Sequence, residues 1–254
     1  GITDSTTNDE SFVSIDIGPP EMVSVKIFSS NPDSSWAKID DSVFVYFVVN
    51  EPLKLDGNPT SSLKISGNTV DITNVQSTSY QGYYVMTSSE IEGEVPLEIS
   101  FYDLGSQAGN GGTPIQTTTD NTNVIFDKTN PGITSATFIT NNIYSDSFAK
   151  VDNIGTITIS LDENIRTIST LLNDYEVALS GNGQDYSYDY TFSDTNNNGT
   201  ILLNMLASDS AGNQHDTLID RVYFDKTPPN ENHSLLKFEH LGQESISCLD
   251  YVHK

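Results

Sequence analysis

Cationic side chains are scarce: 11 Lys and Arg stand against 35 Asp and Glu, a net charge of −24 at pH 7. A chain this acidic repels nucleic acid and anionic membrane surfaces and attracts cations. No nucleic-acid partner is therefore expected. Cysteine is limited to Cys248, which excludes a disulfide framework and a thiolate metal cluster. No apolar run approaches the roughly 18 residues of a membrane-crossing helix, so direct membrane insertion is not expected. The opening from Gly1 is polar and carries no secretory signal, so an exported form needs one that was removed or lies outside this stretch. Histidine is also rare. Three of the four follow residue 229, and only His215 precedes it.

What is present is repetition. The stretch Val124 to Pro131, Val-Ile-Phe-Asp-Lys-Thr-Asn-Pro, returns as Val222 to Pro229, Val-Tyr-Phe-Asp-Lys-Thr-Pro-Pro. A degenerate copy runs from Val13 to Pro20. The shared aspartates Asp16, Asp127 and Asp225 are 111 and 98 residues apart. Inside each interval the same features return in order. Ala37-Lys-Ile-Asp40 matches Ala149-Lys-Val-Asp152, and Asn50-Glu-Pro-Leu53 parallels Asp162-Glu-Asn-Ile165. Asp103-Leu-Gly-Ser-Gln-Ala-Gly-Asn110 is a lengthened form of Asp209-Ser-Ala-Gly-Asn213. A module of about 100 residues is used twice.

Within each module the apolar residues alternate. Val45, Phe47 and Val49 are answered by Ile157, Ile159 and Leu161. Val95, Leu97, Ile99 and Phe101 are answered by Ile201, Leu203, Met205 and Ala207. A period of two places each set on one face of a strand, and no segment keeps a capped helical period. About seven short strands per module, with turn residues between them, predict an all-β sandwich. The repeated prolines stop each strand ladder, since proline cannot donate to it. Expected boundaries are 1–20 for a lead-in and preceding linker, 21–128 and 132–226 for the modules, and 230–254 for a tail without repeat features. Trp36 reads as part of a loop.

The Phe-Asp-Lys-Thr-x-Pro boundary (126–131, 224–229) and the Asp-x-Ala-Gly-Asn turn at 209–213 resemble those of immunoglobulin-like repeats in large bacterial and archaeal surface proteins. Adhesins, biofilm proteins and some surface-layer proteins are of this kind. The resemblance spans roughly 13–229 and implies two tandem immunoglobulin-like antiparallel sandwiches. It also implies a cell-surface or extracellular place, and neighbouring modules or copies of itself as partners. The first module departs from the pattern by the inserted Leu-Gly-Ser-Gln before Ala108.

In such repeats acidic residues at the boundary often hold Ca²⁺, which takes six to eight oxygen ligands. Carried onto this chain, that implies calcium at Asp127 with Glu163 and Asp209, loop acids a sandwich brings to the same pole. Asp16, Glu51 and Asp103 hold the same roles in the first module. The competing reading is that the boundary aspartates cap turns or pair with Lys128 and Lys226. A second candidate, Asp194, Asn196 and Asn198 with Gly199, fits the start of a calcium loop. It lacks the acidic twelfth residue, where Met205 stands, and Asn-Gly equally makes a hairpin turn.

Catalysis finds little support, and the chain is read as a non-enzyme. His215 lies in a polar Asn-Gln-His-Asp run that reads as an exposed turn, and no phosphate loop or zinc-protease motif appears. Tyr80, Tyr83 and Tyr84, then Tyr186, Tyr188 and Tyr190, suit either an edge-strand ligand face or half-buried sandwich positions. The expected function is a non-catalytic surface module: spacer, coat or adhesin stalk. The alternatives are a glycan- or protein-binding module and accessory domains of a secreted hydrolase.

Overall fold

The computed structural model describes residues 18–104 and 110–228. The lead-in including Asp16, the inserted 105–109 and the tail from 229 lie outside the described residues.

The first half contains β1 (Met22–Ser29), β2 (Trp36–Ala37), β3 (Ser42–Val49), β4 (Ser62–Ile65) and β5 (Asn68–Val70). It continues with β6 (Thr73–Gln76), β7 (Ser79–Val85), β8 (Gly93–Glu94), β9 (Leu97–Ser100) and β10 (Ile125–Phe126). The second half repeats the series as β11 (Ile133–Thr140), β12 (Phe148–Ala149), β13 (Ile154–Leu161), β14 (Thr167–Leu172) and β15 (Tyr175–Val177). β16 (Ser180–Asn182), β17 (Asp185–Thr191), β18 (Gly199–Ser208) and β19 (Gln214–Phe224) close it.

One sheet of each half is four-stranded, ordered β1-β3-β7-β6 and β11-β13-β17-β16. In chain order these are the first, third, seventh and sixth strands of each half, the same in both. The facing sheet of the second half is β12-β19-β18-β14-β15, and in the first half it is split into β5-β4-β9 and β2-β10-β8. In each half the chain leaves the four-stranded sheet after its first strand and pairs parallel with the last strand, β2 on β10 and β12 on β19. Trp36 is therefore part of a strand, not a loop. The first strands even share a bulge, between Met22 and Ser24 and between Ile133 and Ser135. The chain is two tandem immunoglobulin-like β-sandwich domains.

The alternation does what a period of two requires. Val45, Phe47, Val49, Ile157, Ile159 and Leu161 all point inward and are buried, as are Leu97, Ile99, Leu203 and Met205. Two separate cores result, one drawn from residues between Val25 and Phe126, the other from Phe138 to Phe224. In the second, Gly155 sits under Phe138 and Phe192. A Cβ there would lie 2.7 Å from the Phe138 ring, so only glycine lets the stacked rings close over the strand.

The tyrosines of β17 lie on an inner strand flanked by β13 and β16, not on an edge. Tyr186, Tyr188 and Tyr190 are half-buried against the core. Domain one differs at its last strand. Residues 116–124 leave the sheet, and Thr119 and Thr122 hydroxyls accept from Val25 and Ile27 amides (both 3.0 Å) along the outer edge of β1. Hydroxyls thus satisfy part of an edge that would otherwise offer unpaired amides.

The repeated Lys after each boundary aspartate has a structural task. Lys128 Nζ donates to Ser88 O (2.9 Å) and Glu90 O (2.8 Å). Lys226 Nζ donates likewise to Asp194 O (2.7 Å) and Asn196 O (2.8 Å). Each ammonium ties the chain leaving a domain to a loop of that same domain. Lys128→Met and Lys226→Met should each lower the stability of their own domain by about 1.5 kcal/mol, the scale of a charge-assisted bond. Separate thermal transitions read by calorimetry check this, and a shift in the other domain instead would refute it.

Candidate cation site at the domain joint

Three strand ends converge where the domains meet. Asp127 follows β10, Glu163 follows β13 by two residues, and Asp209 follows β18. One carboxylate oxygen from each lies within 4.8 Å of the others. Asp209 is fully buried, and Asp127 and Glu163 are half-buried.

The backbone around them is tied down on both sides of the joint. Asp209 Oδ1 accepts from the amides of Gly212 (2.7 Å) and Asn213 (2.9 Å), and its Oδ2 from Asn213 Nδ2 (2.9 Å). That is why the Asp-x-Ala-Gly-Asn turn has its sequence: aspartate closes it, and Gly212 supplies the left-handed φ of 86°. Asn213 Nδ2 also donates to Asp127 O of the first domain (3.1 Å). The linker itself is held by Asp162, whose Oδ1 accepts from Gly132 N (2.7 Å). His215 Nδ1 meets Pro131 O at 2.6 Å, so Nδ1 carries the proton, since a carbonyl only accepts. His215 thus lies on β19 against the linker, and the exposed-turn reading is corrected. Asn31 of the first domain reaches across, its Nδ2 donating to Ala211 O at 2.8 Å in a buried bond.

The electrostatics are adverse to an empty trio of charges. Burial raises the Asp127 pKa, and the negative charges of Asp209 and Glu92 add to it against a lowering bond from Thr129 N. Glu163 is pushed up to about 7, first by burial and then by Asp209, Asp127, Asp162 and Glu92. Among the described residues no Lys or Arg forms an ion pair with the three acids. Lys128, the nearest in sequence, is turned toward Ser88 and Glu90. Three converging carboxylates with a cation missing from their surroundings are a donor set that suits a hard divalent ion, with backbone carbonyls and water filling out the shell.

The other candidate acids are placed as follows. Asp103 is buried, and its carboxylate accepts from Asn110 N (3.1 Å) and Nδ2 (2.9 Å), the counterpart of Asp209 with Asn213. Glu51 is half-buried at the same pole, and Asp16 lies outside the described residues. Asp194, Asn196 and Asn198 sit in the turn between β17 and β18. There the carbonyls of 194 and 196 take the Lys226 ammonium, and Asn198 Oδ1 accepts from Lys226 N (3.0 Å). The turn already holds a cationic side chain. Glu92, Asp162, Asn213 and His215 were not singled out for this joint by the sequence. Asn213 and Asp162 carried a repeat signal, as the last residue of the repeated turn and the first of Asp162-Glu-Asn-Ile165.

Two further grooves open among the described residues, and the second is lined by Glu90, Glu92 and Glu94. The groove beside β1 has Glu94 as its one titratable side chain. In a second groove burial opposes the charge of Glu90, but bonds from Thr87, Tyr84 and Ser89 outweigh it and hold its pKa at about 2. Such a group gives up no proton near neutrality.

No family model and no curated protein matches the chain. Among solved structures it is similar to the fibronectin(III)-like modules of Clostridium thermocellum CbhA, with 12% identity and a TM-score of 0.36, over 79% of this chain and 93% of that one. It is also similar to DIP-gamma IG1+IG2, at 10% identity and a TM-score of 0.37, over 84% and 99% of the two chains. Yersinia pseudotuberculosis adhesin InvE matches at 14% identity and a TM-score of 0.27, over 79% of this chain and 58% of that one.

Proposed function

We propose that the chain is a non-catalytic structural module of an extracellular surface protein, two sandwich domains at 21–128 and 132–226 whose joint is stiffened by calcium. The observation that carries this reading is the convergence of Asp127, Glu163 and Asp209 across the joint within 4.8 Å. The ion neutralises a repulsion that the fold otherwise stores and ties the last strand of one domain to two loops of the next. Its natural partners are neighbouring domains of the same kind. The net charge of −24 keeps such a rod soluble and apart from other anionic surfaces.

Titration calorimetry with CaCl2 tests it directly. One site per chain is expected, with stabilisation of about 2.7 kcal/mol at a free calcium 100 times the dissociation constant. Small-angle scattering should show a narrower range of interdomain geometries when calcium is present. Asp127→Asn should abolish both responses and Asp4→Asn neither. Sodium chloride at equal ionic strength separates binding from screening. If the salt reproduces the whole effect, the site hypothesis fails and the acidity serves solubility alone.

A further inference from the structure

We infer that the far pole of the second domain is a docking socket for a further immunoglobulin-like module with a near pole like that of the second domain itself. The two far poles share most of their bonds, although Asn31 Nδ2 also donates to Asp41 Oδ2 (2.8 Å), where the second domain has Asn153. In the first domain Asn31 N donates to Ser29 Oγ, and Asp33 N to Asn31 Oδ1 (both 3.1 Å). In the second, Asn142 N donates to Thr140 Oγ1 (3.3 Å) and Tyr144 N to Asn142 Oδ1 (3.0 Å). Asp40 and Asp152 are both left-handed, with φ of 72° and 68°. Their amides donate to Met86 O and Phe192 O, each at 2.9 Å. Asp127 N and Asp225 N donate to Ala37 O and Ala149 O, again both at 2.9 Å. The Lys128 and Lys226 clamps complete the match.

The first of these poles has an occupant. Asn31 holds Ala211 O of the second domain, and Lys38 lies beside Gly212, its Cε 3.9 Å from where a Cβ would stand. Asn142 and Lys150 occupy the same places at the second pole. The Tyr144 amide fixes the Asn142 side chain as the Asp33 amide fixes that of Asn31, so its amide nitrogen is set for the same acceptor. The rim adds a second observation. Ile143 and Tyr144 are 87% and 89% exposed, where the first domain has Pro32 and Asp33. Two large apolar side chains side by side on so acidic a surface mark a contact face.

The chemistry of the occupant follows from the joint already formed. It presents an Asp-x-Ala-Gly-Asn turn, its alanine carbonyl to Asn142 and its asparagine amide to the carbonyl of Asp225. The second pole carries Asn198 where the first carries Glu92, so its acid load is lower and the socket does not rest on the calcium reading.

The test inserts a copy of residues 132–229 after Pro229, leaving the rest of the full chain intact and repeating the Asp-Lys-Thr-x-Pro spacing. ¹⁵N relaxation then reports whether the inserted module tumbles with its neighbours. Common tumbling of all three modules is expected, in chelator as well as in calcium. Asn142→Ala should lose that coupling for the inserted module, and Asn31→Ala should lose it at the first joint. An unfolding transition of the inserted copy matching that of the second domain shows that it folds. A folded insert tumbling on its own in the unsubstituted array, or one that stays coupled in Asn142→Ala, overturns the socket. Absence of any calcium response in the unsubstituted chain would overturn the calcium reading and leave the socket standing.

Discussion

Phe47→Ala is expected to destabilise the first domain by about 3–5 kcal/mol, and Ile159→Ala the second by about 2–4 kcal/mol, the usual costs of truncating a buried aromatic and a buried isoleucine. Both positions face inward from the second strand of the four-stranded sheet, fully buried at 0% and 1% exposure. Phe47 is opposite Val25 on one side and Tyr80 on the other. Its ring stacks on Tyr80 at 5.5 Å, and the Tyr80 hydroxyl accepts from Leu53 N at 2.8 Å. Removing the ring therefore opens a cavity beneath a tyrosine that also anchors the following loop. Ile159 is opposite Ala136 and the half-buried Tyr186, a looser setting that relaxes more easily and sets the smaller cost. Domains of this size hold about 5–15 kcal/mol in all, so either change removes a large share. Denaturant unfolding followed by near-ultraviolet circular dichroism should show each substitution shifting one transition and sparing the other. Parallel shifts would mean that the joint couples the two cores into a single unfolding unit.

Those two positions were readable from the sequence because sheet alternation leaves a direct imprint, and the repeat supplied an independent copy of it. The recurring proline and Asp-Lys-Thr marked in the same way where a boundary was expected. What alternation does not record is the outer side of a strand. Gln214-His-Asp-Thr reads as a polar turn, yet these residues begin β19, whose solvent side is polar and whose inner side is weakly apolar at that end. His215 was misplaced for that reason. For the tyrosines of β17 the two readings stayed open because an inner strand of a half-exposed sheet shows the same pattern as an edge, and the half-buried one holds. Residues 116–123 had no repeat counterpart to betray their departure from the sheet. At the joint, Asp127, Glu163 and Asp209 were named because the resembled repeats hold calcium with boundary acids, and Glu163 and Asp209 follow strands expected to run the same way. Glu92 bears on the joint only through the particular path of its loop, which no periodic signal encodes, and the repeat that includes Asp162 does not show that its carboxylate holds the linker.

Without calcium, the stability of the protein is expected to rise as pH falls from about 7 to about 4.5, and saturating calcium should flatten that rise. The cause is Glu163, whose pKa stands at about 7 in the fold against 4.5 ordinarily, because burial and the carboxylates of Asp209, Asp127, Asp162 and Glu92 disfavour its charge. Between those two values the folded state holds a proton that the unfolded chain has released, so acid favours folding. Above about 7 both states are ionised, and the fold carries the full penalty, at most about 3 kcal/mol for a shift of this size. The gain is complete near 4.5. Further acid then costs stability, as groups such as Glu90, held at about 2, lose the bonds their charged forms accept. Calcium competes with the proton, since only the carboxylate coordinates. Its affinity should therefore fall as pH drops through about 7, with protons released on binding, and calorimetry in buffers of different ionisation heat counts them. Glu163→Gln removes the titrating group while keeping its shape. In that variant the slope between about 7 and 4.5 should flatten and the calcium response weaken together. Calcium affinity unchanged between about pH 8 and about pH 5.5 would show that Glu163 is not a ligand, and that its raised pKa reports repulsion alone.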